Sequence, residues 1–116
     1  MNITQCKTLI AIARAEIPYE LLKDILVPAV GLADPDNYWH QAIAHLTLAI
    51  ARHQVSMGDM RPERLQGTLA GLTTENVLNN LGGQQHDYYS RMEPRQLSST
   101  VACVHTLFRN GYPMAA

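Results

Sequence analysis

The sequence predicts an all-α fold, a compact bundle of five to six short helices around one long central helix, in a single domain over residues 1–116. Hydrophobic residues make up 47% of the chain and recur at helical spacing, whereas the strict alternation of a strand is nearly absent. Only 16% of the residues are charged, which excludes a disordered tail. Six prolines and seven glycines divide the chain into short segments.

The first two helices are predicted from caps and prolines. Thr4 is a plausible N-cap for a helix over residues 5–16. The apolar positions of that helix predict its inner face, which comprises Cys6, Leu9, Ile10 and Ala13. Pro18 suits the first turn of a second helix, which Pro28 ends or kinks. The buried stripe expected on this second helix is Leu21, Leu22, Ile25 and Leu26.

The third helix is the longest and is expected over residues 37–57, with Gly58 as its C-terminal stop. One apolar face of this helix comprises Trp39, Ile43, Leu46, Ile50 and Met57. A second, narrower stripe comprises Ala44, Leu48, Ala51 and Val55. Both apolar stripes of such a helix must be covered by other residues, because exposed apolar surface is unfavourable in water. Either it runs through the middle of the bundle, or the second stripe is the seam of a homodimer.

Prolines and N-caps also divide the second half of the chain into helices. Pro62 begins a helix that faces inward with Leu65, Leu69 and Leu72. Thr73 or Thr74 caps a short helix that ends at Leu81, and residues 84–93 remain ambiguous, with one or two helical turns. Pro94 begins the last helix, which ends at Asn110-Gly111. Its amphipathic pattern comprises Leu97, Val101, Val104 and Phe108.

The charge balance argues against a nucleic-acid partner. Lys and Arg number 9 against 10 Asp and Glu, a net charge of −1, whereas nucleic-acid binders carry a basic surplus. The helix pair over residues 62–81 nevertheless has a helix-turn-helix-like outline, so a DNA-binding regulator is the alternative function. Its second helix offers Asn79 and Asn80 but no Lys or Arg to contact phosphates.

No motif fixes a reaction, and we expect neither enzymatic activity nor a cofactor. His40, His45 and His53 share the long helix but stand five and eight residues apart, not one turn apart, so we expect no metal site. Cys6 and Cys103 lie on apolar helical faces, which favours free thiols in a reducing compartment, and we expect a cytoplasmic protein. No apolar segment reaches the ~20 residues that a membrane-spanning helix needs.

The polar segment that contains Tyr88 and Tyr89 is the best candidate for function. Tyr, Met and Arg are enriched at protein interfaces, because they combine apolar area with a polar tip. The alternative is that one tyrosine packs back on the bundle and the other is incidental. The predicted partner-binding residues are Tyr88, Tyr89, Arg91 and Arg95, with a second patch at Met60, Arg61 and Arg64 beside Met57.

The sequence therefore predicts a non-enzymatic module that binds another protein as an adaptor, inhibitor or regulatory subunit. Compact chains without motifs are common among accessory proteins of phages and mobile elements, including inhibitors of host systems. We expect surface occlusion or assembly as the mechanism.

Overall fold

The computed structural model describes the backbone of residues 1–110 and the side chains of residues 1–107. Over that range it contains six α-helices, one 3₁₀ turn and no strand, so the predicted all-α class is confirmed. The helices are α1 (Ile3–Ala15), α2 (Tyr19–Ala29), α3 (Tyr38–Ser56), α4 (Pro62–Ala70), α5 (Gly83–Ser90) and α6 (Pro94–Asn110), and the 3₁₀ turn is Leu78–Asn80. The side chain of Phe108 and the predicted helix end at Gly111 lie outside the described residues.

Helix α1 begins two residues earlier than Thr4 predicts. The side chain of Asn2 accepts a hydrogen bond from the backbone N–H of Gln5, and the side chain of Gln5 accepts one from the N–H of Asn2, both at 2.9 Å. This reciprocal capping box satisfies two backbone donors that a helix start leaves open. The predicted inner face of the helix is confirmed, because Cys6, Leu9, Ile10 and Ala13 are all buried.

Helix α2 buries only part of its predicted stripe. Leu22 and Leu26 are buried, but Leu21 is 72% and Ile25 62% exposed, so the prediction is wrong for these two residues. Neighbouring residues on a helix point about 100° apart, and the helix rests on the face that continues from Leu22 and Leu26 to Val27. Leu21 and Ile25 therefore lie on the outer side, one turn apart.

The predicted dimer seam lies inside the chain. Ala44, Leu48 and Ala51 are at most 1% exposed, and Val55 is half-buried against the same core. Helix α3 packs against α1, α2, α4 and α6. The expectation that the second stripe meets another copy is therefore wrong. The ends of the first stripe, by contrast, lie at the surface, with Met57 at 72% exposure.

The predicted helix pair over residues 62–81 is only half formed. Helix α4 is present, but residues 74–77 form a turn that leads into the 3₁₀ turn, and no second α-helix forms between Gly71 and Leu81. The side chain of Asn76 accepts from the backbone N–H of Thr73 at 2.8 Å and donates to the carbonyl of Gly71 at 3.1 Å. Such local side-chain bonds compete with helix formation. The helix-turn-helix outline thus has no recognition helix.

The two cysteines form no disulfide, and Cys6 is buried while Cys103 is half-buried. Among the helices that the structure describes, none combines the length and the apolar character required to cross a bilayer.

Candidate functional site

An open cavity of about 480 Å³ lies where α2, α3, α5 and α6 meet. Four of the chain's five tyrosines line it, although they come from three different helices. These tyrosines are Tyr19, Tyr38, Tyr88 and Tyr89. His45 and Glu20 are further ionisable residues that line the cavity. We call this site the tyrosine cavity.

A short hydrogen bond joins the deepest two of these side chains. Nδ1 of His45 and the hydroxyl oxygen of Tyr89 lie 2.5 Å apart, and Tyr89 is only 2% exposed. Burial raises the pKa of the Tyr89 phenol above its usual range and lowers the pKa of His45. Both groups are therefore neutral, and we assign the phenol as donor to the unprotonated Nδ1. A phenol that keeps its proton is not an activated nucleophile. The hydrogen bond of this pair joins α5 to α3.

Two ring pairs of the cavity meet nearly at right angles, whereas His45 and Tyr89 are tilted at 37°. The centroids of Tyr88 and Tyr89 are 4.9 Å apart with their planes at 85°, and Tyr19 meets His45 at 4.9 Å and 86°. His45 also lies 5.8 Å from Tyr88, which joins the two pairs into one continuous cluster. Edge-to-face contacts of this kind are favourable, because each ring has a negative face and a positive edge.

Two further tyrosines are held by their hydroxyl groups. The hydroxyl of Tyr19 donates to the carbonyl of Gln41 at 2.9 Å, and the side-chain amide of Gln96 donates to the hydroxyl oxygen of Tyr38. Burial raises the pKa of Tyr19 to about 12. Tyr38 and Tyr88 are each 56% exposed, so the mouth of the cavity presents aromatic surface to solvent.

Helix α5 carries two of the tyrosines, and two contacts along α3 fix its direction. Gly82, just before α5, lies so close to His53 that an added Cβ would sit 2.7 Å from Nδ1 of the ring. Tyr89, near the end of α5, meets His45 two turns earlier on α3. Helix α5 therefore runs antiparallel to this stretch of α3. The sequence pattern leaves these residues ambiguous.

The first predicted patch is only partly a surface. Tyr88 is exposed at the mouth of the tyrosine cavity, but Tyr89 is buried, so its prediction as an exposed contact is wrong and one tyrosine does pack back on the bundle. Arg91 lines an adjoining cavity of about 580 Å³ that shares Tyr88 with the first. Arg95 is exposed in the first turn of α6, where its backbone N–H donates to Glu93, and it lines neither cavity.

The second predicted patch is organised around a carboxylate. Two nitrogens of Arg61 contact Asp59 at 2.8 and 3.0 Å, and Nε of Arg64 lies 3.3 Å from the same carboxylate. The hydrogen bond from Arg61 lowers the pKa of Asp59 to about 2. Met60 and Met57 are exposed beside this cluster. No residue of this patch lines the tyrosine cavity, so the structure does not bring the two patches together.

Among the aromatic and ionisable residues that line the cavity, sequence reasoning misses Tyr19, Glu20, Tyr38 and His45. The contact between His45 and Tyr89 spans 44 residues, and no local pattern reports such a distance. One compositional signal was available, since the chain has five Tyr but a single Phe. Tyr replaces Phe where a ring lies at the boundary between core and water, because its hydroxyl needs a partner.

The three histidines of α3 serve separate contacts. Nδ1 of His40 accepts a hydrogen bond from the backbone N–H of Asp34 at 3.1 Å, His45 contacts Tyr89, and His53 lies against Gly82. Within residues 1–107, no three His, Cys, Asp or Glu side chains are grouped as a metal ion would require.

In comparisons with known proteins, no family model, no curated protein and no solved structure matches this chain.

Proposed function

We propose that this protein is a non-enzymatic interaction module that binds another protein at the tyrosine cavity. The observation that supports the proposal is the convergence of four tyrosines from three helices on one open cavity. Tyrosine is among the residues that contribute most to binding energy at protein interfaces. The hydroxyl contacts of Tyr19, Tyr38 and Tyr89 fix their rings before any partner arrives, which reduces the entropy lost on binding.

The mechanism we propose is occlusion or assembly. A cavity of about 480 Å³ with exposed rings at its mouth accepts a protruding side chain and the backbone around it. A partner held in this way has the bound segment hidden from its other ligands, which suits an adaptor, an inhibitor or a regulatory subunit. The two free thiols suit a cytoplasmic setting, because a reducing compartment keeps thiols unpaired.

The experiment starts with affinity capture from the native host and identification of the captured protein by mass spectrometry. The affinity of the purified partner is then measured by calorimetry for the wild type and for Tyr38→Ala/Tyr88→Ala. We expect the double variant to bind at least about thirtyfold more weakly, because each exposed aromatic anchor contributes about 1–2 kcal/mol. The circular dichroism spectrum of the variant should match that of the wild type, which shows that the fold is retained, while the loss of the ring contacts of Tyr88 lowers the melting temperature only slightly.

The matched control is Met57→Ala/Met60→Ala, which removes two exposed apolar side chains from the second patch. We expect this control to bind the partner as tightly as the wild type does. If the methionine variant loses binding and the tyrosine variant keeps it, the site belongs to the Asp59 cluster and the proposal for the tyrosine cavity is wrong. The DNA-binding alternative has no specific observation in its favour, since the 3₁₀ turn stands where its recognition helix should be.

A further inference from the structure

We propose that the tyrosine cavity takes the guanidinium group of an arginine that the partner protein presents, an inference that rests on the proposed function and names the chemistry of the bound segment. Ring faces carry the negative part of an aromatic quadrupole and attract cations within about 6 Å of the centroid. Tyr38 and Tyr88 are each 56% exposed at the mouth of the cavity, so an incoming cation can reach their rings. The buried ring of Tyr89 supports Tyr88 through an edge-to-face contact.

The charges around the cavity favour a cation. Glu20 is the one charged residue among the described residues that line it. The adjoining cavity adds Asp87 and Glu93 against a single Arg91, so acidic side chains outnumber basic ones across the combined opening. Arg52 lines neither cavity, and its guanidinium donates to the carbonyl oxygen of Ile17, although its charge still acts on His45. An incoming positive charge thus meets no lining cation in the tyrosine cavity itself.

A hydrogen-bond acceptor at the wall favours a cation that carries N–H groups. Oε1 of Gln85 is buried and has no hydrogen-bond partner among the residues that the structure describes. A buried acceptor without a donor costs about 1–3 kcal/mol, and a ligand that supplies the donor recovers this cost. Gln85 lines the same cavity as Glu20 and the tyrosines. A quaternary ammonium group has no N–H to offer, whereas a guanidinium has five.

The shape of the cation separates arginine from lysine. A guanidinium is planar, stacks on a ring face and donates hydrogen bonds within its own plane at the same time. A guanidinium stacked on the exposed ring of Tyr88 keeps its N–H groups available to Glu20 and Gln85, which line the same cavity. A lysine ammonium is a strongly hydrated point charge, which loses more solvation on entering an aromatic cavity.

The test titrates the protein with three capped tripeptides, Gly-Arg-Gly, Gly-Lys-Gly and Gly-citrulline-Gly. Citrulline has nearly the shape of arginine but carries no charge. The tyrosine ring signals are followed by nuclear magnetic resonance to obtain affinities. We expect Gly-Arg-Gly to shift the signals of Tyr38 and Tyr88, and to bind at least about tenfold more tightly than Gly-citrulline-Gly. Gly-Lys-Gly should bind with an affinity between the two.

Two variants separate the effect of the Glu20 charge on binding from the effect of the cavity's shape. Glu20→Gln should weaken Gly-Arg-Gly about threefold and leave Gly-citrulline-Gly unchanged, because only the charged probe gains from the carboxylate. Asp24→Asn is the matched control, since Asp24 is an exposed carboxylate one turn further along α2 that lines neither cavity. Equal affinity for the arginine and citrulline probes, or no shift at the tyrosines, overturns this inference. The proposed function fails separately, if the purified partner binds Tyr38→Ala/Tyr88→Ala as tightly as the wild type.

Discussion

The hydroxyl of Tyr89 on α5 lies 2.5 Å from Nδ1 of His45 on α3, and this contact holds the wall of the tyrosine cavity against the bundle. Tyr89 is the one buried residue of α5. The backbone of α5 otherwise packs mainly on the 3₁₀ turn Leu78–Asn80. The position of α5, and with it the shape of the cavity, therefore depends on the anchor that Tyr89 and its hydrogen bond provide, together with the contact between Gly82 and His53.

Removal of the Tyr89 hydroxyl tests this anchor. We expect Tyr89→Phe to lower the free energy of unfolding by about 1–2 kcal/mol, because Nδ1 of His45 loses its partner in a half-buried setting. Urea denaturation followed by circular dichroism measures the change. Tyr88→Phe is the matched control, since Tyr88 is 56% exposed, and it should leave the stability within about 0.5 kcal/mol of the wild type. Equal effects of the two substitutions would show that the hydrogen bond contributes nothing.

The pH dependence of stability should report on His45. Burial lowers the pKa of His45 below its ordinary value of 6.5; the smaller effect of Glu20 raises this pKa, and that of Arg52 lowers it further. The unfolded chain then binds the proton first as pH falls, so the folded state loses stability from about pH 6.5 downward and keeps it above. We expect the free energy of unfolding to decrease between pH 7 and pH 5, measured by urea denaturation in buffers of constant ionic strength.

His45→Gln is the control for this pH effect. The substitution removes the titrating group, so the decrease between pH 7 and pH 5 should be smaller in the variant than in the wild type. His86→Gln removes an exposed histidine instead and should retain the full decrease. A wild-type decrease that persists unchanged in His45→Gln would assign the effect to other groups.

Two leucines with opposite environments test the assignment of core and surface. Leu48 is 1% exposed on α3 and Leu21 is 72% exposed on α2. We expect Leu48→Ala to cost about 2–5 kcal/mol through lost burial and the cavity that it leaves. Leu21→Ala should change stability by no more than about 0.5 kcal/mol. Thermal unfolding of both variants measures the difference, and a stable, monomeric Leu48→Glu protein would contradict the buried position of this residue.

The contact between Gly82 and His53 can be tested by a double-mutant cycle. An added methyl group at Gly82 would sit 2.7 Å from Nδ1 of His53, so Gly82→Ala should destabilise the protein by about 1–3 kcal/mol. His53→Ala removes the ring and should recover most of that loss in the double variant. Gly67→Ala is the control, because an added methyl group there meets nothing within 4 Å. Additive effects of Gly82→Ala and His53→Ala would contradict the close contact.

Periodicity and punctuation predicted the helices where the local pattern was unambiguous. Pro94 begins α6, and the first of the predicted inner positions on that helix, Leu97, is buried. On α2 the pattern was wider than the buried face, and no local rule decides which edge of a four-residue stripe turns inward. After Gly71, hydrogen bonds of the Asn76 side chain replaced a helix with a turn. Propensity alone does not foresee such competition.

The sequence predicts two residues of the candidate site, Tyr88 and Tyr89, but not the arrangement of the cavity. Tyr88 was identified from its polar surroundings, because an exposed aromatic side chain stands out in a hydrophilic segment. Tyr19, Tyr38 and His45 come from other helices and join it only through packing. The second stripe of α3 was compatible with either a dimer or a core, and the choice depended on how many neighbours surround α3. That number is a property of the folded chain.

The limited attachment of α5 has a consequence for how the site is populated. Because α5 contributes one buried residue, we expect it to open locally more readily than α1, α3, α4 and α6 separate from one another. An opened α5 takes Tyr88 and Tyr89 away from His45, so only the closed form offers a complete cavity. The observed affinity for any ligand of the cavity equals the intrinsic affinity multiplied by the closed fraction. The backbone amides of α5 should accordingly exchange with deuterium sooner than those of α3, and a ligand that slows this exchange selects the closed form.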